Sequence, residues 1–392
     1  MVRSSVRVEE PPTSPEAAEI LREAAARSLS VRFRGGGTKF DWGNATPEPD
    51  LIVSTHGLNR IVEHNAADLT AVLEAGVRLA DAQAAFAESG QMLAIDPPLG
   101  PDDEATIGGI VASGDSGPLR HRYGAARDLL VGMTVVLSDG TIAKSGGRVI
   151  KNVAGYDLAK LFTGSFGTLG MIVQVAVRLH PKPREQMTVI GSTDDPDALG
   201  RAAAALAPAP LEFESLDADW DQSSGRILAR CAGTATRPRI EAASRLLPEA
   251  MAGSRYTSSI ERDEDDELIW SSVRSRSLVG ADGVLVKVSG LPSEVPRLIR
   301  TVTRLRGHLV ARAGLGLAWV WLPPTNDGAT IAAIEELRRD LAPYPCVVLE
   351  APPGVREGID VWGPPDGSIE LMRRIKERFD PAGICNPGVF VV

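Results

Sequence analysis

The chain has 392 residues, 43% hydrophobic and 24% charged, and a formal net charge of −9. That length predicts two or three domains, and the composition is that of a globular protein. The acidic balance, with no long basic run, argues against a nucleic-acid binder, and no segment approaches the roughly 18 uncharged apolar residues of a membrane span.

The first residues, MVRSSVRVEEPP, lack the apolar stretch of a signal peptide, so a cytoplasmic location is expected. Ser14 followed by Pro15 reads as a helix start, with apolar residues recurring through Ile20, Leu21 and Ala24. A β-like SVRF from Ser30 then delivers the chain into Gly35, Gly36 and Gly37. PDLIVST reads as a buried strand and RLADAQAAFAESG as a helix stopped by Gly90. From residue 129, two strands are expected around Ser138, Asp139 and Gly140, and GMIVQVAVRLHP alternates as a strand with one wet face. PKPRE, at 181–185, reads as a linker.

Beyond it the strands EFESLDADW and GRILARCAG and the helix RPRIEAASRLLPEA are followed by a second set of similar size: GVLVKVSGL, SEVPRLIRTVTRL, GLAWVWLPP, TIAAIEELRRDLA and CVVLEA. The pattern predicts an antiparallel sheet with helices on one face, without an internal sequence repeat. At the end, Ser368 is placed to cap a helix carrying Ile369, Met372, Ile375 and Phe379 on one face.

Successive glycines after a strand can turn several N–H groups into one concavity suited to a pyrophosphate, although a flexible connection would need the same residues. Two further clusters favour a ligand. Residues 96–124 hold Gly108, Gly109, Gly114, Gly117 and Gly124, and TGSFGTLG spaces Gly164, Gly167 and Gly170 by three. Three such clusters point to one long ligand. GxxGxxG running into a strand is not a dinucleotide fingerprint of the Rossmann type, and none of the seven lysines follows a glycine, which excludes a Walker loop. Cys231, Cys346 and Cys385 are far apart and form no CxxC pair, so neither a disulfide framework nor an iron–sulfur site is encoded.

The strings RGGGTK, TIGGIVASGDSG with RYGAARD, IKNVAGYDLAKLFTGSFGTLG and FDPAGICNPGVF resemble the PCMH-type flavoproteins related to vanillyl alcohol oxidase, over residues 5–181 and the last 25. Within that group, KNVAGYDLAKLFTGS with the terminal NPG is most similar to the FAD-binding subunits of bacterial glycolate oxidases. The resemblance implies an α+β fold. A two-lobed FAD-binding domain would cover 1–181 (lobes about 1–95 and 96–181), an inserted α+β cap 186–352, and a returning C-terminal segment 366–392. It implies pyrophosphate contacts from Gly35, Gly36, Gly37 and Thr38. It implies further FAD contacts from Arg34, Pro98, Thr106, Ile107, Gly108, Gly109, Ser113, Gly114, Gly117, Gly124 and Gly167, with Ile172 at the adenine end. Valine at position 36 or 109 is expected to intrude on that site.

Many relatives hold FAD covalently through a histidine in the first loop, where this chain has Thr38 and Lys39, so non-covalent FAD is implied. Relatives that oxidise 2-hydroxy acids themselves carry clustered histidines and a glutamate. Here the histidines at 56, 64, 121, 180 and 308 include no pair at ligand spacing, and no metal site is expected. His121 could face flavin or substrate, or be a solvated loop residue. Arg120 could clamp a carboxylate, or pair with a phosphate or surface anion. Asp157 beside Tyr156 reads as a helix cap rather than a base, and Trp319 and Trp321 as packing.

With no second redox centre, the electrons must leave for an outside acceptor. The resemblance implies a subunit working beside a second flavin subunit and an iron–sulfur subunit on a small 2-hydroxy acid, with any membrane association coming through those partners. Two alternatives stand: a self-sufficient FAD-linked oxidase or dehydrogenase of a 2-hydroxy acid or polyol, and an assembly subunit whose FAD never turns over. Without a histidine and glutamate cluster, the isolated chain is expected to oxidise 2-hydroxy acids slowly.

Overall fold

The computed structural model describes residues 6–147, 157–276, 283–364 and 367–391. The chain divides into two compact units, one of residues 1–116, 124–182 and 364–392, the other of 117–123 and 183–363.

The described residues of the first unit form two larger sheets and a two-stranded pairing of Gln91–Met92 with His180–Pro181. β1 (Arg7–Glu9) and β2 (Val31–Arg34) flank β3 (Leu51–Ser54) in parallel. Such pairing requires a crossover, supplied between β1 and β2 by α1 (Ser14–Ala26). Its cap is Thr13, one residue before the expected Ser14. Thr13 is extended, and its hydroxyl accepts the Glu16 N–H at 3.3 Å, which puts Pro15 inside the first turn. Ala17, Leu21 and Ala24 recur at helical spacing and pack with Val31, Leu51 and Val53.

The second sheet contains β4 (Ile61–Asn65), β5 (Thr70–Glu74), β6 (Leu130–Val136), β7 (Ile142–Gly146) and β8 (Met171–Arg178), all antiparallel in the order β4-β5-β8-β6-β7. The expected hairpin of β6 and β7 turns through Gly140 at φ 80°, the left-handed conformation that glycine takes without strain. Val136, Met171 and Val173 of this sheet share a core with the α1 face and with Ile384 and Cys385 near the C-terminus. Residues 384–386 lie parallel to β2, with the Val31 N–H donating to the Ile384 carbonyl at 2.9 Å and the Asn386 N–H to the Val31 carbonyl at 2.8 Å. The C-terminal helix Ile369–Phe379 is present, but the Ser368 side chain makes no capping hydrogen bond and lies 3.9 Å from the Met372 sulfur instead.

In the second unit, eight antiparallel strands follow one another in space: Tyr256–Arg262, Gln186–Thr193, Ser224–Ala232, Ser215–Asp221, His308–Arg312, Leu317–Leu322, Val284–Ser289 and Cys346–Glu350. Read in chain order, residues 186–262 and 284–350 each run strand, helix, strand, strand, helix, strand, with the fourth strand beside the first. The two halves thus have the same topology and join through Ser215–Asp221 against His308–Arg312, where Asp217 stands opposite Arg312. Helices Pro196–Leu206, Thr236–Ala250, Val295–Arg304 and Asp327–Leu341 cover one face, whose core includes Leu216, Ala229, Val286 and Val320.

A fifth helix, Asp263–Ser275, packs Trp270 and Val273 on Ile190, Leu228 and Val310 of the other face. Sequence reading missed it because its first turn is acidic and only these two apolar side chains are buried.

Candidate functional site

Within the first unit, a cavity of about 110 Å³ lies where β2 ends. From β2 and its following loop come Arg32, Phe33, Arg34, Gly35, Gly36, Gly37, Thr38 and Lys39. A second wall includes Thr106, Gly108, Gly109 and Ser113 around the helix Ile107–Ser113, and a third includes Phe166, Gly167, Gly170 and Ile172. Asn386 and Val389 complete it from the C-terminal end.

The glycines serve different ends. A Cβ on Gly36 would lie 1.7 Å from the Glu104 carbonyl oxygen, and one on Gly35 2.1 Å from Thr106 Oγ1, so these two let protein pack on protein. A Cβ on Gly109 would meet only Thr106 Oγ1, at 3.2 Å, with open space otherwise. Gly37 needs φ 77° and has nothing within 4 Å of a Cβ. Gly37 and Gly109 are therefore where the missing side chain leaves room for a ligand. Valine at 36 would displace the loop itself, so only the substitution at 109 isolates ligand contact.

The cavity is cationic. Arg32 donates to the Thr46 hydroxyl at 2.9 Å and the Phe40 carbonyl at 2.6 Å, and its guanidinium lies 4.4 Å from the Phe40 ring centre. Lys39 donates to the Pro98 carbonyl at 3.2 Å and stands 3.3 Å from the Asp115 carboxylate, both side chains being buried. Arg34 makes no ion pair or side-chain hydrogen bond among the described residues, and no carboxylate lines the cavity. A diphosphate fits this set: one unengaged guanidinium, a strand-to-loop backbone with three adjacent glycines, and no competing anion.

Other expected cofactor residues lie elsewhere. Pro98 stands behind Lys39. Ile107 is buried, and its N–H donates to the Val77 carbonyl at 2.8 Å. Gly114 closes the helix Ile107–Ser113 at φ 64° against Gly164, and Gly124 packs on the Asp128 side chain. Gly117, Arg120 and His121, expected in the FAD-binding domain, group with the second unit. There Tyr123 donates to Glu214 at 3.2 Å and Arg122 to the Glu212 carbonyl at 3.1 Å. Burial, then the neighbouring Arg122 charge, holds His121 below the ordinary histidine range. Asp157 is exposed and pairs with Lys160 at 3.1 Å; the helix it was expected to cap begins at Ala159, after Leu158, and Tyr156 falls outside the described residues. Trp319 is buried beneath Arg312, and Trp321 stacks on His308.

Gly170 belongs to the third glycine cluster, but sequence reading missed Arg32, Phe33, Phe40, Phe166, Asn386 and Val389 as lining residues. The signal for Asn386 was the NPG string itself, which carries a polar amide into an otherwise apolar tail.

The second unit holds a row of buried charge on the sheet face opposite the four helices. Arg312 pairs with Asp217, both fully buried, and its guanidinium is 4.8 Å from the Trp319 ring centre. Arg230 stands 3.0 Å from Glu214 and 3.6 Å from Asp266. Burial pushes the Asp217 carboxyl up to about 6 while Arg312 pulls the other way; burial and the Glu214 charge push the Tyr123 phenol up to about 12.

A unit of parallel and antiparallel sheets enclosing a cationic, glycine-walled cavity, joined to an antiparallel α+β unit, is the architecture of FAD-binding oxidases. A solved structure of alkyldihydroxyacetonephosphate synthase shares this fold with a TM-score of 0.72 at 14% identity, covering 97% of this chain and 76% of that one. Residues 7–146 match the FAD binding domain and residues 365–390 the C-terminal domain of FAD linked oxidases. The chain thus carries an FAD binding domain and is an FAD-dependent oxidoreductase. An FAD-linked oxidoreductase of Mycobacterium tuberculosis is 28% identical over 97% of this chain and 89% of its own length. The glycolate oxidase subunit GlcE of Escherichia coli is 27% identical over 94% of this chain and 95% of its own.

Proposed function

We propose that the chain is the FAD-binding subunit of a glycolate oxidase-like complex, acting on a small 2-hydroxy acid and passing electrons to a second flavin subunit and an iron–sulfur subunit. The observation that carries this reading is the match to GlcE, which runs nearly end to end in both proteins. FAD, when bound, accepts the two electrons taken from the substrate. Arg34 and the backbone of Gly35–Thr38 hold its diphosphate, and Gly109 leaves space beside it. The three cysteines are buried and scattered, which supports an acceptor outside the chain. Among the described residues no helix is long and apolar enough to cross a membrane. The cytoplasm, with partners mediating any membrane contact, is the proposed location.

FAD is held non-covalently in this reading. No histidine, cysteine or tyrosine is among the described residues lining the cavity, so the usual nucleophiles for a flavin linkage are absent from its described wall. Acid precipitation of the holoprotein should leave the yellow colour in the supernatant; colour retained in the washed pellet would contradict it.

A second reading, a chain that oxidises a 2-hydroxy acid unaided, is favoured by its 28% identity to the D-lactate dehydrogenase of Archaeoglobus fulgidus over 98% of this chain and 91% of that protein. Purification under native conditions separates the two. A second flavoprotein and an iron-containing protein at fixed stoichiometry are expected, and a lone chain with full dye-linked turnover would overturn the subunit reading.

A further inference from the structure

We infer that the C-terminal tail is a latch on the cofactor cavity, closed by Asn386, so that FAD binding and tail docking stabilise each other. The inference rests only on FAD occupying this cavity and is independent of substrate and partners.

Asn386 is 6% exposed and sits in the cavity wall at φ 42°, a left-handed conformation that asparagine tolerates better than most residues. Its Oδ1 accepts the Phe33 N–H at 2.9 Å, and its Nδ2 donates to the Phe166 carbonyl at 2.6 Å. Phe33 immediately precedes Arg34 and the glycine loop; Phe166 precedes Gly167 on the opposing wall. One amide therefore ties two walls far apart in sequence, its oxygen accepting from one while its nitrogen donates to the other. The fit is close, since a Cβ on Gly167 would lie 2.8 Å from Asn386 Nδ2 and 3.1 Å from the Phe33 ring.

The rest of the tail is fastened around this point. Lys376 donates to the Thr168 carbonyl at 2.7 Å and to the Cys385 carbonyl at 2.8 Å. Asp380 accepts the N–H groups of Ile384 at 3.2 Å and Cys385 at 2.9 Å. The Val389 carbonyl accepts the Asn44 N–H at 3.0 Å, and Phe390 stacks on Phe166 with ring centres 5.6 Å apart. Because Asn386 and Val389 line the cavity, a ligand there contacts the tail only in its docked state. A ligand that binds one state preferentially shifts the population toward it.

The test compares the parent with Asn386→Leu, which removes both hydrogen bonds at similar volume, and Asn386→Asp, which keeps only the acceptor. FAD dissociation constants come from flavin fluorescence, and tail docking from the rate of carboxypeptidase trimming with and without FAD. FAD is expected to slow trimming of the parent tenfold or more. Asn386→Leu should weaken FAD binding at least tenfold and abolish that protection, with Asn386→Asp between. A tail serving only as a structural staple would lose stability without FAD while its FAD affinity and protection ratio stayed at parental values, and that result overturns the latch. Should Asn386→Leu not fold, trimming of the parent decides: equal rates with and without FAD refute the inference.

Discussion

Gly109→Val is expected to weaken FAD binding by one to two orders of magnitude while leaving the apoprotein as stable as the parent or slightly more so. Gly109 lies in the helix Ile107–Ser113 at ordinary helical φ, and its N–H contacts the Thr106 hydroxyl at 3.3 Å, a bond valine preserves. In a helix interior, glycine is among the least favourable residues, so valine gains a few tenths of a kcal/mol there. The added side chain has no protein neighbour beyond Thr106 Oγ1 and projects into the space assigned to cofactor. Each tenfold loss of affinity corresponds to about 1.4 kcal/mol. Fluorescence titration of apoprotein with FAD, paired with urea denaturation of the apo form, checks both halves. Parental affinity in a folded variant would move the cofactor out of this cavity.

Asp217→Asn is expected to destabilise the second unit by about 3–5 kcal/mol at pH 7, the usual consequence of removing one partner from a buried ion pair. Asparagine matches the shape but leaves the fully buried Arg312 guanidinium without a counter-charge. The pH dependence follows from the same burial. A carboxyl raised to about 6 in the folded state binds its proton there more tightly than in the unfolded chain, where the ordinary value is near 4. Its contribution to stability is therefore greatest below pH 4 and falls as pH rises to 6, the reverse of an exposed, salt-bridged aspartate. Urea midpoints of parent and variant should lie furthest apart near pH 4 and converge as pH rises to 7. A constant difference across that range would show that Asp217 does not titrate there.

The cofactor loop was legible because Gly35, Gly36 and Gly37 sit together and follow a recognisable strand. Most strands and helices of the second unit were legible too, since their apolar periods are long. The short-range error at Ser14 came from adjacent hydroxyl residues, either of which can cap; only the extended backbone of Thr13 decides. The larger omissions are tertiary. Asn386 meets Phe33 across 353 positions and Phe166 across 220, so no local pattern announces it. LDADW alternates like a strand with its acids in water, yet the adjoining strand places Arg312 directly opposite Asp217 and buries both. The placement of 117–123 likewise depends on Tyr123 reaching Glu214 in a strand 91 residues later.

Anaerobic reduction of the flavin in this chain by glycolate, followed at the oxidised-flavin absorbance with and without the partner subunits, tests the central claim most directly. The subunit reading predicts slow bleaching of the isolated holoprotein, because general-base help is worth about 10² to 10⁴ in rate and the described residues hold no cluster of histidine, cysteine and acidic side chains able to bind a metal beside substrate. It predicts fast, saturable bleaching in the reconstituted complex. Fast reduction of the chain alone would establish the second reading in its place, and a flavin that stays oxidised with every 2-hydroxy acid, partners present, would contradict both.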